Sequence, residues 1–283
     1  MLLVVRNILF FFIFILIFSC KKTFKPATDA FFVNTEKVTV ITQPGQGYGS
    51  HNITDLWLYT NGDFKGAYPI GAKMPVMIED GKSVINVFAG IKNNGISETR
   101  INWLFYEPIK LDTVVASGQN IVRNFAFKYR TSVVFPWVEG FELPGFSLIR
   151  SSISDTTYKL HTNDEHVFEG NKSIELGLSG SALTAQLETA TTHSLPLSTS
   201  NVYLEIDYKS NTDFIIGTST NGVFYESITI TPKENWHKIY VHIAESVNMD
   251  KTTSMKKIII KIKRNQNISE QKVYIDNLKL VYI

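Results

Sequence analysis

The chain predicts an all-β protein: two antiparallel β-sandwiches after a short secretory leader. Three observations carry this expectation. From Lys37 onward, short runs of β-branched and aromatic residues alternate with turn signals, the pattern of a sandwich or barrel. Several runs in the second half follow a strict period of two, with one apolar and one charged side, which marks a sheet packed on one face. No stretch sustains a period of 3.6, and only Ala244 to Asn248 hints at a helical turn.

The elements follow in order. Residues 37–42 read as a first strand, and Pro44-Gly45-Gln46-Gly47-Tyr48-Gly49 breaks it. Residues 53–59 form a second strand. Asn61-Gly62 is a strong hairpin signal, and residues 64–68 return from it. Strands over 74–78 and 83–88 flank a turn at 79–82, and strands over 109–115 and 121–129 close the first unit. Ile121, Phe125, Phe127 and Tyr129 share one face of that last strand.

Pro136 interrupts the pattern and opens the second unit. Ile174, Leu176 and Leu178 alternate with Glu175 and Gly177. Val202, Leu204 and Ile206 alternate with Tyr203, Glu205 and Asp207. Ile239, Val241 and Ile243 alternate with Lys238, Tyr240 and His242. Ile258, Ile260 and Ile262 oppose Lys257, Lys261 and Lys263, so the isoleucines should be buried and the lysines exposed. Val273 and Ile275 face inward, and so do Leu278, Leu280 and Tyr282. The odd step from Ile275 to Leu278 requires a bulge, placed at Asp276-Asn277. The expected organisation is a leader over 1–19, a tether over 20–36, a first sandwich over 37–131 and a second over 137–283.

The leader carries one charge, Arg6, and an unbroken apolar run over 8–18 that closes on Ile17-Phe18-Ser19-Cys20. A bilayer span takes roughly twenty apolar residues, and this run has instead the length of a signal-peptide core. Its end resembles the bacterial lipoprotein processing box. That resemblance implies cleavage before Cys20 and acylation of Cys20, which anchors the protein to a membrane by lipid. The absence of an aspartate after Cys20 implies the cell outer membrane, with the periplasmic and surface faces both open. Cys20 is the only cysteine, so an internal disulfide is excluded. Lys21, Lys22 and Lys25 follow it as a solvated tether. Basic side chains number 28 and acidic ones 26, with no basic stripe, which argues against a nucleic-acid partner.

Trp137-Val138-Glu139-Gly140-Phe141-Glu142, Glu169-Gly170-Asn171-Lys172-Ser173-Ile174-Glu175, Trp236-His237-Lys238-Ile239-Tyr240-Val241 and Tyr274-Ile275-Asp276-Asn277-Leu278 give residues 137–283 their likeness to a known fold. This span resembles the carbohydrate-binding-module type of β-jelly roll. The resemblance implies a structural calcium held by acids of the first and last strands, which are Glu142 and Asp276 here, with Glu139 behind them. Leu58-Tyr59-Thr60-Asn61-Gly62-Asp63-Phe64-Lys65-Gly66 is similar to a strand, turn and return strand of the immunoglobulin-like PEGA sandwich. The whole arrangement resembles lipoproteins of the Gram-negative outer membrane, a group that supplies no activity to carry over.

The chemistry-bearing patterns are few. Glu205-Ile206-Asp207 is similar to the start of the Glu-x-Asp-x-x-Glu strand of laminarinase-like glucanases. Retaining hydrolysis needs two carboxyls about 5 Å apart, but Ser210 stands where the last acid belongs. Tyr203, Glu205, Asp207 and Lys209 therefore read as a charged outward strand face. His161, Asp164, Glu165 and His166 lack the spacing of a zinc hydrolase and read as a solvated loop. No Gly-x-Ser-x-Gly elbow, phosphate loop or calcium loop appears.

Aromatic rings could build a glycan platform. Trp57 and Tyr59 share a strand face with Asp55, and core packing is the plainer reading of any one such ring. Tyr225, Trp103 and Tyr106 are the expected ligand-binding residues, as exposed loop aromatics. No catalytic residue is assigned. The expected role is a non-catalytic binding or scaffold lipoprotein that holds a polysaccharide or an envelope partner. The alternatives are a degenerate glycoside-active enzyme and an accessory subunit of an outer-membrane protein assembly.

Overall fold

A computed structural model describes residues 29–77, 84–112, 116–163, 165–198 and 201–283. The leader, Cys20 and Asp164 lie outside the described residues. The N-terminal half holds β1 (Ala30–Asn34), β2 (Val38–Ile41), β3 (Asp55–Thr60), β4 (Asp63–Pro69), β5 (Met74–Met77), β6 (Ile85–Lys92), β7 (Arg100–Asn102), β8 (Ile109–Lys110), β9 (Asn120–Val122) and β10 (Phe125–Lys128). Its largest sheet runs β4-β3-β6-β7, with β8 also on β6, and is antiparallel throughout. Asn61 and Gly62 turn β3 into β4 with φ of 52° and 89°, the left-handed pair that a two-residue hairpin requires.

Two expectations are corrected in this half. Residues 30–34, expected within a tether, form β1, because Phe31 and Val33 alternate into the core at 3% and 0% exposure. The run over 121–129 is not one strand. It breaks at Arg123 and Asn124, where the Asn124 side chain accepts a hydrogen bond from the Lys37 N–H, so two strands result. These are parallel neighbours, β9 of β1 and β10 of β2, in sheets otherwise separate from the large one.

The C-terminal half holds β11 (Val134–Glu139), β12 (Leu148–Arg150), β13 (Tyr158–Thr162), β14 (Lys172–Leu178), β15 (Thr184–Thr189), β16 (His193–Ser194), β17 (Val202–Ser210), β18 (Phe214–Thr220), β19 (Val223–Ile230), β20 (Lys233–His242), the helix α1 (Ala244–Met249), β21 (Met255–Lys263) and β22 (Gln271–Tyr282). One six-stranded sheet runs β13-β14-β22-β17-β20 with β11 also on β22. The other runs β12-β15-β21-β18-β19 with β16 also on β21. All these ladders are antiparallel. The two sheets enclose a core in which Ile258, Ile260 and Ile262 are each fully buried. Burying one such side chain stabilises the fold by roughly 1.5 to 3 kcal/mol. Lys263 is exposed, and Lys257 and Lys261 are half-buried with their stems along the sheet.

The bulge in β22 stands where the odd step requires it. Glu205 pairs with Lys279 and Asp207 with Asp276, so one strand spends an extra residue. Asn277 absorbs it at φ 49°, and Ile275 and Leu278 both reach the core at 0% exposure.

The halves share buried surface. Tyr203, Tyr240 and Val281, on the outer face of the first C-terminal sheet, belong to the apolar core of the N-terminal half. The Trp103 ring centroid lies 4.8 Å from those of both Tyr203 and Tyr240. The loop after β6 runs along the free edge of β20. There Asn94 N–H donates to the Tyr240 carbonyl at 3.0 Å, and the Asn94 side chain accepts from His242 N–H at 2.7 Å. An exposed strand edge is an open pairing site, and this contact closes it. The outward, solvated reading of Tyr203, Glu205 and Asp207 is therefore corrected: they are 6%, 0% and 0% exposed beneath the other half.

Candidate functional site

Burial decides which nominated residues a ligand can reach. Trp103 and Tyr106, expected as exposed loop aromatics, are each 1% exposed. Their stretch turns under the N-terminal sheet and is sealed by Phe105, Tyr129, Tyr203 and Tyr240. Tyr225 is not in a loop but on β19. It pairs with Thr218, whose side chain is fully buried, so it turns toward the inner side of the sheet and is half-buried.

The Glu205-Ile206-Asp207 strand carries charge into the junction between the halves. Lys238 Nζ lies 3.3 Å from Glu205 Oε2 and 3.6 Å from Asp207 Oδ2, all three side chains being at most 2% exposed. Tyr129 donates its hydroxyl to Glu205 Oε1 at 2.8 Å, and Ser50 donates to Asp207. Burial by itself would lower the Lys238 pKa, but the charges of Asp207 and Glu205 outweigh it and raise it. Lys279, bonded to the Tyr48 carbonyl, is pushed down to about 8 by burial. Carboxylates sealed in this way meet no substrate.

The residues expected to hold calcium are each engaged by backbone N–H groups. Glu142 accepts from the N–H groups of Asn171 and Lys172 at 2.7 and 3.0 Å. Asp276 accepts from those of Phe168, Glu169 and Asn277 at 3.2, 3.1 and 2.8 Å. The two carboxylates thus hold the loop before β14 from either end. A calcium ion takes six to eight oxygen ligands. Among the described residues no group of three or more His, Cys, Asp or Glu side chains is placed to hold a metal. Burial pushes the Asp276 carboxyl up to about 7 against those three hydrogen bonds.

The two histidines of this cluster are packed, while Glu165 is exposed as expected of a solvated loop. His161 is 5% exposed and bonds Glu175 at 3.0 Å. His166 stacks on Tyr274 with centroids 4.4 Å apart, and Lys209 lies 4.9 Å from the same ring.

The largest group of open aromatic rings in the N-terminal half lies on its large sheet. On the solvent side of the large N-terminal sheet, Trp57 and Tyr59 of β3 meet Phe64 of β4, with centroids 5.2 and 5.4 Å away. Tyr59 also meets Phe88 of β6 at 5.0 Å, edge to face. Phe64 is 51% exposed, and the other three rings are partly exposed. Opposite side chains on the same strands, Leu56, Leu58, Val87 and Ala89, fill the core and fix this face outward. The indole of Trp57 lies over Gly90, where a Cβ would come within 2.5 Å of Nε1, so glycine lets the ring lie flat on the sheet. At one end Asp55 is fully buried and bonded by Arg100 at 2.7 Å.

Sequence reasoning found Trp57, Tyr59 and Asp55 on one strand but missed Phe64 and Phe88. The Asn61-Gly62 turn carries a signal for Phe64, since a two-residue hairpin sets it beside Tyr59. Phe88 comes from β6, which pairs with β3 across two intervening strands, and no local signal announces that pairing.

No family profile matches the chain, and no curated protein matches it. Among solved structures, the chain is similar to a family 61 carbohydrate-binding module in complex with β-1,4-galactotriose, at 15% identity. That match covers 51% of this chain and 95% of the other, with a TM-score of 0.34. It is similar at 19% identity to the family 30 module of a cellulosomal cellulase of Clostridium thermocellum, covering 52% and 96%, with a TM-score of 0.35. It is also similar at 10% identity to the K3 adhesin domain of Lys-gingipain from Porphyromonas gingivalis, covering 53% and 99%, with a TM-score of 0.38.

Proposed function

We propose that this protein is a lipid-anchored envelope protein that holds a glycan on the solvent face of its N-terminal sheet and does not turn it over. The observation that carries the proposal is the open group of Trp57, Tyr59, Phe64 and Phe88. Such rings offer flat apolar area to the C–H face of a sugar, and the tyrosine adds a polar tip. Contiguous apolar area rimmed by polar residues marks a binding surface more often than an accident of composition. The acids that resemble a glucanase strand support the non-catalytic part, because Glu205 and Asp207 are sealed and tied to Lys238. If aromatic pairs are a guide, each stacked ring contributes roughly 0.5 to 1.5 kcal/mol beyond burial, so binding is weak for one site. Anchoring at Cys20 would concentrate that weak site at a membrane surface.

The test is an array of polysaccharides and envelope glycans probed with the full chain in detergent, followed by product analysis on every hit. Binding without cleavage, lost in Trp57→Ala, is the expected result. Released oligosaccharides would replace this reading with the enzyme. A silent array with co-purifying outer-membrane proteins would replace it with the assembly subunit.

A further inference from the structure

We infer that the glycan on this aromatic face is anionic, with its carboxylate or sulfate groups directed toward the side of the sheet formed by β7 and β8. The inference rests on the binding reading above and adds the charge of the ligand. Ladder register fixes which side chains share the face with the rings. Asn86 pairs with Lys110, and Lys92 pairs with Arg100, so these side chains stand on the same side as Phe88. The opposite flank, along β4, presents Phe64, Ala67 and Pro69, and toward its hairpin end it carries the ion pair of Asp63 and Lys65. The face is therefore asymmetric: rings in the middle, a border on β4 whose one lysine is paired with an acid, and unpaired lysines on the other side.

The ammonium groups of Lys92 and Lys110 have no hydrogen-bond or ion-pair partner among the described residues, and Lys110 is exposed. Asp55, the acid bonded to Arg100, is fully buried, takes one bond from Arg100 and one from Thr54, and presents no charge to solvent. Arg100 spends one nitrogen on Asp55 and is 43% exposed, so the rest of its fork stays free to bind an oxyanion. A sugar stacked on the rings would place its substituents within reach of this border, and a carboxylate or sulfate there would be matched by charge. Each exposed pairing is weak and screened by salt. Their sum sets selectivity more than strength.

The experiment compares hexasaccharides of galacturonate and mannuronate and a sulfated heparin-derived hexasaccharide with cellohexaose and mannohexaose. Binding to the full chain in detergent is measured by calorimetry at low and high salt. Vesicles containing phosphatidylglycerol are run in parallel. The expected result is that an acidic hexasaccharide binds roughly tenfold more tightly than the neutral ones at low salt, with the difference shrinking as salt screens it. Lys110→Gln and Lys92→Gln should remove most of that preference while leaving neutral binding unchanged, and Trp57→Ala should abolish both. Lys110 is exposed and Lys92 partly so, and thermal melting of each variant checks that the fold is kept. Equal or tighter binding of the neutral sugars, still lost in Trp57→Ala, would overturn the anionic inference and keep the glycan reading. No binding of any sugar would overturn both. Binding to anionic vesicles without binding to sugars would assign the face to lipid headgroups and overturn both as well.

Discussion

Replacing Lys238 with methionine tests the charged layer between the two halves. Its ammonium is 3.3 Å from Glu205 and 3.6 Å from Asp207, and none of the three side chains reaches solvent appreciably. At an effective dielectric near 20, each attraction amounts to roughly 5 kcal/mol before costs. Most of that offsets the desolvation of the three charges. Methionine fills the same volume, so little cavity term enters. The two carboxylates remain buried without their nearest cation, with Lys279 as a more distant one, and breaking a buried pair in this way costs about 3 to 5 kcal/mol. The assay is urea denaturation followed by tryptophan fluorescence at neutral pH. A companion protein carries Glu205→Gln, Asp207→Asn and Lys238→Met together. It removes these three charges while keeping their shape, and Lys279, already pushed down to about 8, can shed its proton there, so the variant should recover most of the loss. A Lys238→Met protein within about 0.5 kcal/mol of the parent, or a triple variant less stable than the single one, would refute the reasoning.

Other expectations follow from the same structure. Ile260→Ala should cost about 2 to 5 kcal/mol through lost transfer and a cavity, while Lys261→Ala stays within about 0.5 kcal/mol; equal losses in denaturation would mean the register of β21 is wrong. The Asp276 proton stays on to about pH 7 in the folded chain and leaves near 3.8 in the unfolded one. The folded state binds more protons in that window, so the urea midpoint contribution falls as pH rises through it, and Asp276→Asn should flatten the slope. Lys279 has the opposite sign. Its folded value of about 8 lies below 10.5, so the unfolded state binds more protons there and stability rises from pH 8 toward 10.5. Added calcium and a chelator should each leave the melting temperature unchanged, and a rise with calcium would restore a cation site at Glu142 and Asp276. Intact mass of membrane-extracted protein should show Cys20 as an acylated N-terminus, and an unprocessed Met1 form would contradict the anchor.

Legibility in the sequence followed the range of the interactions. The strands of the C-terminal half were readable because their apolar side chains all point into one core. Even the β22 bulge could be placed, because the odd step between Ile275 and Leu278 leaves no regular solution. The same rule misread Tyr203, Glu205 and Asp207. Alternation shows that these residues oppose the core, but not that another half covers them, since their counter-charges come from Lys238 and Lys279 on other strands. Trp103 and Tyr106 failed for the same reason: an irregular stretch gives no periodicity, and the rings that bury them belong to residues distant in sequence. The open face was half legible, because Trp57 and Tyr59 lie on one strand while Phe88 joins them only through a non-sequential pairing.

The sharing of Tyr203, Tyr240 and Val281 with the N-terminal core has a consequence for synthesis. A ribosome delivers the aromatic cluster around Trp103 and Tyr129 long before it delivers the residues that close it. During that interval the nascent N-terminal half carries an unfinished apolar surface and cannot complete its own packing. Translocation across a membrane would present the same half-built intermediate to chaperones on the far side. Loss of the final strand β22 should then unsettle the ring cluster at the other end of the sequence as much as the sheet it belongs to.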